Sequence, residues 1–207
     1  MSEERDISRV DQEIEQEMEL SEQRRIRREK LEKLIEIDRN PFLVETWNVT
    51  HHSENIKNQF DEMEGLEVSM AGRIMAKRQM GKASFIDIQD KQGKIQVYIR
   101  ADAITPEEYE VFLTYDLGDI VGFVGKVFRT KHGEISIKAS QLVLLCKSLQ
   151  PLPDKWHGLK DTDMRYRQRY VDLIVNPDVR KTFILRTKLI KVIRDFLEGR
   201  GFLEVDT

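Results

Sequence analysis

A mainly β fold with flanking helices is what this chain of 207 residues predicts, and three features predict it. Residues 66–99 alternate apolar and polar side chains with a period of two, the mark of half-buried strands. Residues 119–145 hold two more β-rich runs, interrupted by glycines. A single capped helix separates the two groups.

The strands follow in order. From Leu66 to Arg78 the even positions are apolar or small (Leu66, Val68, Met70, Gly72, Ile74, Ala76), and the odd ones are mostly polar (Glu67, Ser69, Arg73, Lys77). Gln79-Met80-Gly81-Lys82 is a turn with a glycine free to take positive φ. The second strand is Ala83 to Gln89, with Ser84, Ile86 and Ile88 on one face and Phe85, Asp87 and Gln89 on the other. Asp90-Lys91-Gln92-Gly93 makes a hairpin loop, after which Ile95, Val97 and Ile99 alternate with Gln96 and Tyr98. Thr105-Pro106-Glu107-Glu108 opens the helix with an N-cap, a proline at the first helical position and a glutamate at N3. The fourth strand runs from Asp119 to Thr130, where Gly122 and Gly125 suit a bend or bulge at a barrel corner. Lys131-His132-Gly133 turns the chain into a fifth strand, Glu134 to Leu145, with Ile135, Ile137 and Ala139 inward. Three strands, a helix and two strands predict a five-stranded Greek-key barrel of the OB type.

Composition narrows the function classes. Lys and Arg number 34 against 37 Asp and Glu, a formal net charge of -3. No apolar run reaches the ~18 residues of a membrane span, and no apolar segment marks a secretory leader at the start. We therefore expect no membrane partner and a cytoplasmic location. The one cysteine, Cys146, has no internal disulfide partner and reads as a small hydrophobe. His51-His52 lack further ligands at metal spacing, so no metal site is expected. Trp47 and Trp156 read as packing anchors.

Charge is uneven along the chain. Residues 1–22 carry nine acids against two bases, and residues 24–33 six bases against two acids. Sparse apolar positions (Ile14, Met18, Ile26, Leu31, Leu34, Ile35) predict a helix from about residue 8 to 38, thinnest at Leu20-Ser21, where it would break. Its bases are either a solvated face or, at Arg24, Arg25, Arg27 and Arg28, a track for a polyanion.

The outer face of the sheet is the candidate site. With the loop at 90–93, Phe85 stands opposite Tyr98 and Asp87 opposite Gln96, so Gln96 is a diagonal neighbour of Phe85. Arg73 and Lys77 are expected on the same face, and the stretch 72–82 holds Arg73, Lys77, Arg78 and Lys82 without an acid. An aromatic ring, an amide and basic side chains suit an unpaired base: the ring stacks, the amide meets a Watson–Crick edge, and the bases take phosphate or a carbonyl. The competing reading is that Phe85 covers the sheet edge or packs beneath the N-terminal helix.

Long segments of the chain resemble a family. Gly72-Arg73-Ile74-Met75-Ala76-Lys77-Arg78-Gln79-Met80-Gly81-Lys82-Ala83-Ser84-Phe85 resembles the opening of the anticodon-binding domain of class II lysyl-tRNA synthetases of bacterial type, and Gly93-Lys94-Ile95-Gln96 and Phe128-Arg129-Thr130-Lys131-His132-Gly133-Glu134 continue it. Pro151-Leu152-Pro153-Asp154-Lys155-Trp156-His157-Gly158-Leu159 and Arg165-Tyr166-Arg167-Gln168-Arg169-Tyr170 resemble the segment joining that domain to the catalytic core. Gly201-Phe202-Leu203-Glu204-Val205-Asp206-Thr207 resembles the end of motif 1.

The resemblance implies that Phe85 stacks on the central anticodon uridine, Gln96 and Arg78 contact that base, and Glu134 lies at or beside the anticodon. Arg24, Arg25, Arg73, Lys77 and Lys82 would add backbone contacts. It implies four divisions: a helical extension at 1–64, the barrel at 65–148, a linker at 149–176 and the start of a catalytic domain at 177–207. The stretch Thr182 to Glu198 reads as a helix with a broad apolar face, ended by Gly199 and Gly201. Motifs 2 and 3 are not in the chain, so it is expected to bind the tRNA(Lys) anticodon stem-loop without aminoacylating. ATP and Mg2+, and a homodimer, are implied for the full-length enzyme, and no cofactor for this portion. The alternatives are a generic single-strand-binding barrel, the N-terminal domain of an aspartyl- or asparaginyl-tRNA synthetase, and a self-association module built on the 182–197 face.

Overall fold

Alternation builds the barrel, and three register shifts, at Ile74/Ala76, Ile120/Val121 and Val124/Gly125, shape it. The computed structural model describes residues 3–81, 83–153, 159 and 161–205, with side chains from Met18 onward. It holds two units, one ending at Pro151 and one beginning at Leu152. In the first, β1 (Glu67–Met80), β2 (Ala83–Gln89), β3 (Lys94–Arg100), β4 (Ile120–Arg129) and β5 (Ile135–Cys146) close a barrel in the order β1-β2-β3-β5-β4. The β3–β5 pair is parallel, and β4 closes back on β1 antiparallel. This is the predicted five-stranded Greek-key topology.

Val68, Met70, Ile86, Ile88, Ile95, Val97 and Ile99 point inward and are buried. Each such aliphatic side chain contributes about 1.5–3 kcal/mol on leaving water. In β1 the inward parity changes at Met75: Ile74 pairs with Ile88, and Ala76 then pairs with Asp87. The extra residue reverses every side chain beyond it. Lys77 therefore faces in and Arg78 out, which overturns the expectation of a single parity from Leu66 to Arg78. The shift between Val124 and Gly125 switches β5 from Ile137 and Ala139 inward to Leu142 and Leu144 inward.

Gly125 leaves no room for a side chain, since a Cβ there would lie 2.3 Å from the Lys138 carbonyl oxygen. Gly122 serves a different purpose from the predicted bend. A Cβ there would strike the Trp47 ring at 2.5 Å, so the glycine seats the tryptophan expected to be an anchor.

Helix α4 (Pro106–Leu113) carries the predicted capping box and buries Tyr109 and Phe112. Lys77 Nζ donates to the carbonyls of Phe112, Leu113 and Tyr115 at 2.9 Å each, which satisfies the C-terminal end of that helix. Beside it, buried Lys147 donates to Asp116 at 2.6 Å and Asp119 at 2.7 Å, and Lys30 also meets Asp116 at 2.6 Å.

Lys30 belongs to α1 (Glu3–Glu36), a single helix that does not break at Leu20-Ser21. The Ser21 hydroxyl bonds back to the Met18 carbonyl, and Arg25 pairs with Glu22 and Glu29 one turn away on either side. Arg27 is buried and donates to the Ser148 and Gln150 carbonyls, while Leu34 enters the core. The helix is thus attached by charged groups as much as apolar ones, which accounts for its sparse hydrophobic pattern. Two short helices, α2 (Ser53–Asn58) and α3 (Phe60–Met63), bring Ile56, Phe60 and Met63 to the core. The Asp90 carboxylate ties α2 to the β2–β3 loop through Ser53 N–H and Oγ.

The second unit contains α5 (Thr162–Arg167), α6 (Arg169–Val175) and α7 (Pro177–Glu198). The stretch expected to be a linker carries two short helices, α5 and α6. Helix α7 starts five residues earlier than the apolar pattern suggested, because Pro177 fits a first helical turn. Buried Asp172 accepts from Arg165 at 3.0 Å, from Asn176 at 2.6 Å and from Arg169. Trp156 lies outside the described residues. No helix among those described is long and apolar enough to cross a membrane.

Candidate nucleic-acid interface

The four-residue loop at 90–93 sets the β2–β3 register. Phe85 pairs with Tyr98 and Asp87 with Gln96. The ladder continues through β5 and β4, so two rungs cross the outer face. One runs Arg78, Phe85, Tyr98, Lys138, Lys126, and the other Asp87, Gln96, Ser136, Phe128. Paired residues project to the same side of a sheet.

Three rings lie across these rungs. Phe85 and Tyr98 have centroids 4.8 Å apart, and Tyr98 and Phe128 6.0 Å. Phe85, Tyr98 and Phe128 are each partly exposed, whereas Ile86, Val97 and Val127 beside them in the chain are buried. Phe85 is therefore neither sealed in the core nor covered by α1. It offers one surface to its aromatic neighbour and another to solvent.

The polar groups around the rings are lightly held. Exposed Arg78 reaches Asp87 at 3.4 Å, a surface pair whose net worth is about 0–1 kcal/mol. Glu134, next to the start of β5, meets Lys57 of α2 at 3.8 Å, with its side chain 53% exposed. Gln96 accepts a 3.0 Å hydrogen bond on Oε1 from the Ser136 hydroxyl. Arg129, at the far end of β4, stacks over Phe60 of α3 at 4.4 Å.

The structure thus places Arg78, Phe85 and Gln96 on one face, with Glu134 in the turn that leads into β5. It does not bring all the proposed bases there. Lys77 is turned inward by the Met75 bulge, and burial pushes its ammonium down to about 8, with Asp116 opposing. Arg73 donates to the Gly118 carbonyl at 2.7 Å, at the β1–β4 seam. Arg24 and Arg28 are exposed on α1, and Arg25 is engaged by two glutamates of its own helix. Lys82 lies outside the described residues. Arg165, Arg167 and Arg169, left undecided by sequence, pair with Asp172 and Asp163 inside their own unit. His52 stands 3.6 Å from Asp90, and among the described residues no three His, Cys, Asp or Glu side chains gather to hold a metal. Burial raises the Asp90 carboxyl, yet N–H groups of Gly93, Ser53 and Gln92 and the Ser53 hydroxyl outweigh it and leave it below its ordinary value.

Sequence reasoning left out Tyr98 as a ring of the platform, together with Phe128, Ser136 and Lys57. Tyr98 was legible, since it shares the parity of Gln96. The others reach the site only through the parallel β3–β5 pairing or the packing of α2.

Comparisons with known proteins agree with the barrel fold. Residues 68–145 match a family model described as an OB-fold nucleic acid binding domain. Residues 161–207 match the model for class II tRNA synthetases of the D, K and N group. The chain is 57% identical over 182 residues to a lysine–tRNA ligase of Moorella thermoacetica, a match covering 88% of this chain and 37% of that protein. It is 54% identical to that of Thermoanaerobacter pseudethanolicus, covering 91% of the chain and 38% of the relative. It is also 54% identical to that of Clostridium perfringens, covering 93% and 38%. The chain thus spans less than two-fifths of the length of these curated relatives.

Proposed function

Because this chain belongs to the lysine–tRNA ligase family and carries its anticodon-binding OB domain, we propose that the ring-bearing face reads the anticodon of tRNA(Lys). The observation that carries the reading is Phe85, partly exposed on the barrel wall with Gln96 diagonal to it. The central uridine stacks on Phe85, Gln96 meets its edge, and Arg78 approaches the same base. Glu134 lies beside the anticodon. Arg24 and Arg28, exposed on α1, are placed for phosphates.

Stacking on one ring contributes about 1–3 kcal/mol. In titrations with a UUU anticodon stem-loop, Phe85→Ala and Gln96→Ala each weaken binding within that range. Unchanged affinity in both variants overturns the assignment. Equal affinity for UUU and GGG loops instead makes the barrel a single-strand binder without base preference.

In the whole protein, we infer, this portion delivers cytoplasmic tRNA(Lys) to a domain that activates lysine with ATP and Mg2+ and transfers it to the tRNA. Those groups serve motifs 2 and 3, and no residue described here is assigned to them. A homodimeric whole protein is consistent with α7, on which Leu185, Leu189, Val192 and Phe196 are exposed.

A further inference from the structure

We propose that Ser136 is the residue that makes this site choose uracil over cytosine, by fixing which end of the Gln96 amide faces the base. The proposal rests on the anticodon reading above.

Gln96 and Ser136 are Cα partners in the parallel β3–β5 ladder, and Ser136 is fully buried. A serine hydroxyl has one proton to donate. Two acceptors lie within its reach: Gln96 Oε1 at 3.0 Å and the Glu134 carbonyl at 3.4 Å. The Glu134 carbonyl already accepts the Thr130 N–H at 2.9 Å. The contact to Gln96 is also the shorter by 0.4 Å, near the ideal hydrogen-bond length, so the proton goes to Gln96. Oε1 is held inward, and the Nε2 donor is turned toward the open face.

That orientation carries base information. Uracil presents a carbonyl at position 4 and an N–H at position 3, while cytosine presents an amino group and a bare ring nitrogen. An anchored amide gives Nε2–H to the uracil O4 and keeps the second lone pair of Oε1 for N3–H. Against cytosine the same amide sets donor against donor and acceptor against acceptor. A rotated amide reverses both contacts and suits cytosine. Stacking on Phe85 cannot separate the two pyrimidines, because every base has a π-face. Discrimination thus depends on what stops the amide from rotating, and in this structure that is one buried hydroxyl on the neighbouring strand.

The test measures the affinity of the 207-residue chain for two stem-loops that differ only in the central anticodon pyrimidine, U or C. Wild type is expected to prefer U by at least about tenfold, the equivalent of one well-made polar contact. Ser136→Ala is expected to bring that preference within about threefold, mainly by gaining affinity for the C loop. Loss of packing alone would weaken both loops together and leave their ratio intact. Gln96→Glu is the second arm and does not depend on Ser136→Ala folding. Its carboxylate puts an acceptor where Nε2 stood, which repels the uracil O4 and accepts from the cytosine amino group, while the oxygen held by Ser136 still suits N3–H, so the U preference should be lost. Full retention of the U preference in Ser136→Ala, or a U preference surviving in Gln96→Glu, overturns the proposal while leaving anticodon binding in place. A wild type that binds neither loop, or both equally, removes the anticodon reading and this proposal with it.

Discussion

Lys77 and Arg78 are neighbours in one strand and serve two differently built regions. Around Lys77, under α4, every charge is matched: its ammonium meets three carbonyls, and the two amines of Lys147 and Lys30 meet three carboxylate oxygens of Asp116 and Asp119 within 2.7 Å. Around Arg78, on the outer face, rings are half wet and charges are paired at 3.4 to 3.8 Å. Buried charges persist only when compensated. Exposed groups held loosely can exchange a protein partner for a ligand at little cost. The closed end is therefore read as stability and the open face as binding.

The largest effect should come from the closed end. Lys147→Met strands Asp119, whose side chain is wholly buried, and is expected to destabilise the chain by about 3–5 kcal/mol in urea unfolding. Stem-loop affinity per folded molecule should stay near wild type. A variant that binds poorly while remaining stable would erase the division between the regions. Phe85→Ala should weigh the other way: about 1–3 kcal/mol of binding lost, with a loss of unfolding free energy well below that of Lys147→Met, since the ring is partly exposed and its packing partner is Tyr98.

A smaller effect separates two arginines by their partners. Arg78→Ala should reduce the slope of log affinity against log salt by about one where its guanidinium meets a phosphate as well as the base. Arg25→Ala, engaged with Glu22 and Glu29, should leave the slope unchanged. Equal slopes in the two variants would mean that the Arg78 side of the face does not meet the backbone.

The smallest effect is one of pH. Burial holds the Lys77 pKa at about 8 against 10.5 when free. Between those values the unfolded chain binds more protons than the folded one, so this lysine's contribution to stability rises with pH across the window. The unfolding free energy of wild type minus that of Lys77→Met should climb from pH 8 to pH 10.5. A flat difference would place the ammonium in water. At the acid end Asp116 follows the same sign. Burial raises its carboxyl, but hydrogen bonds and charges from Lys147 and Lys30 bring it below 3.8, so its stabilisation is present above that value and fades as pH falls beneath it.

Local pattern carried much of this molecule. A period of two, a four-residue hairpin loop and a capping box act between residues close in the chain, so the five strands, the Phe85–Tyr98 pairing and α4 could all be read from residue types in a row. The inward turn of Lys77 could not. The bulge at Met75 has no glycine or proline to announce it, and it arises where β1 leaves β4 to follow β2. The same holds for the hydroxyl behind Gln96, since Ser136 lies forty residues away and comes alongside only when the barrel closes. Contacts of short reach are written in neighbouring side chains, whereas the direction of a buried amine or of a single amide depends on strands that meet only after folding.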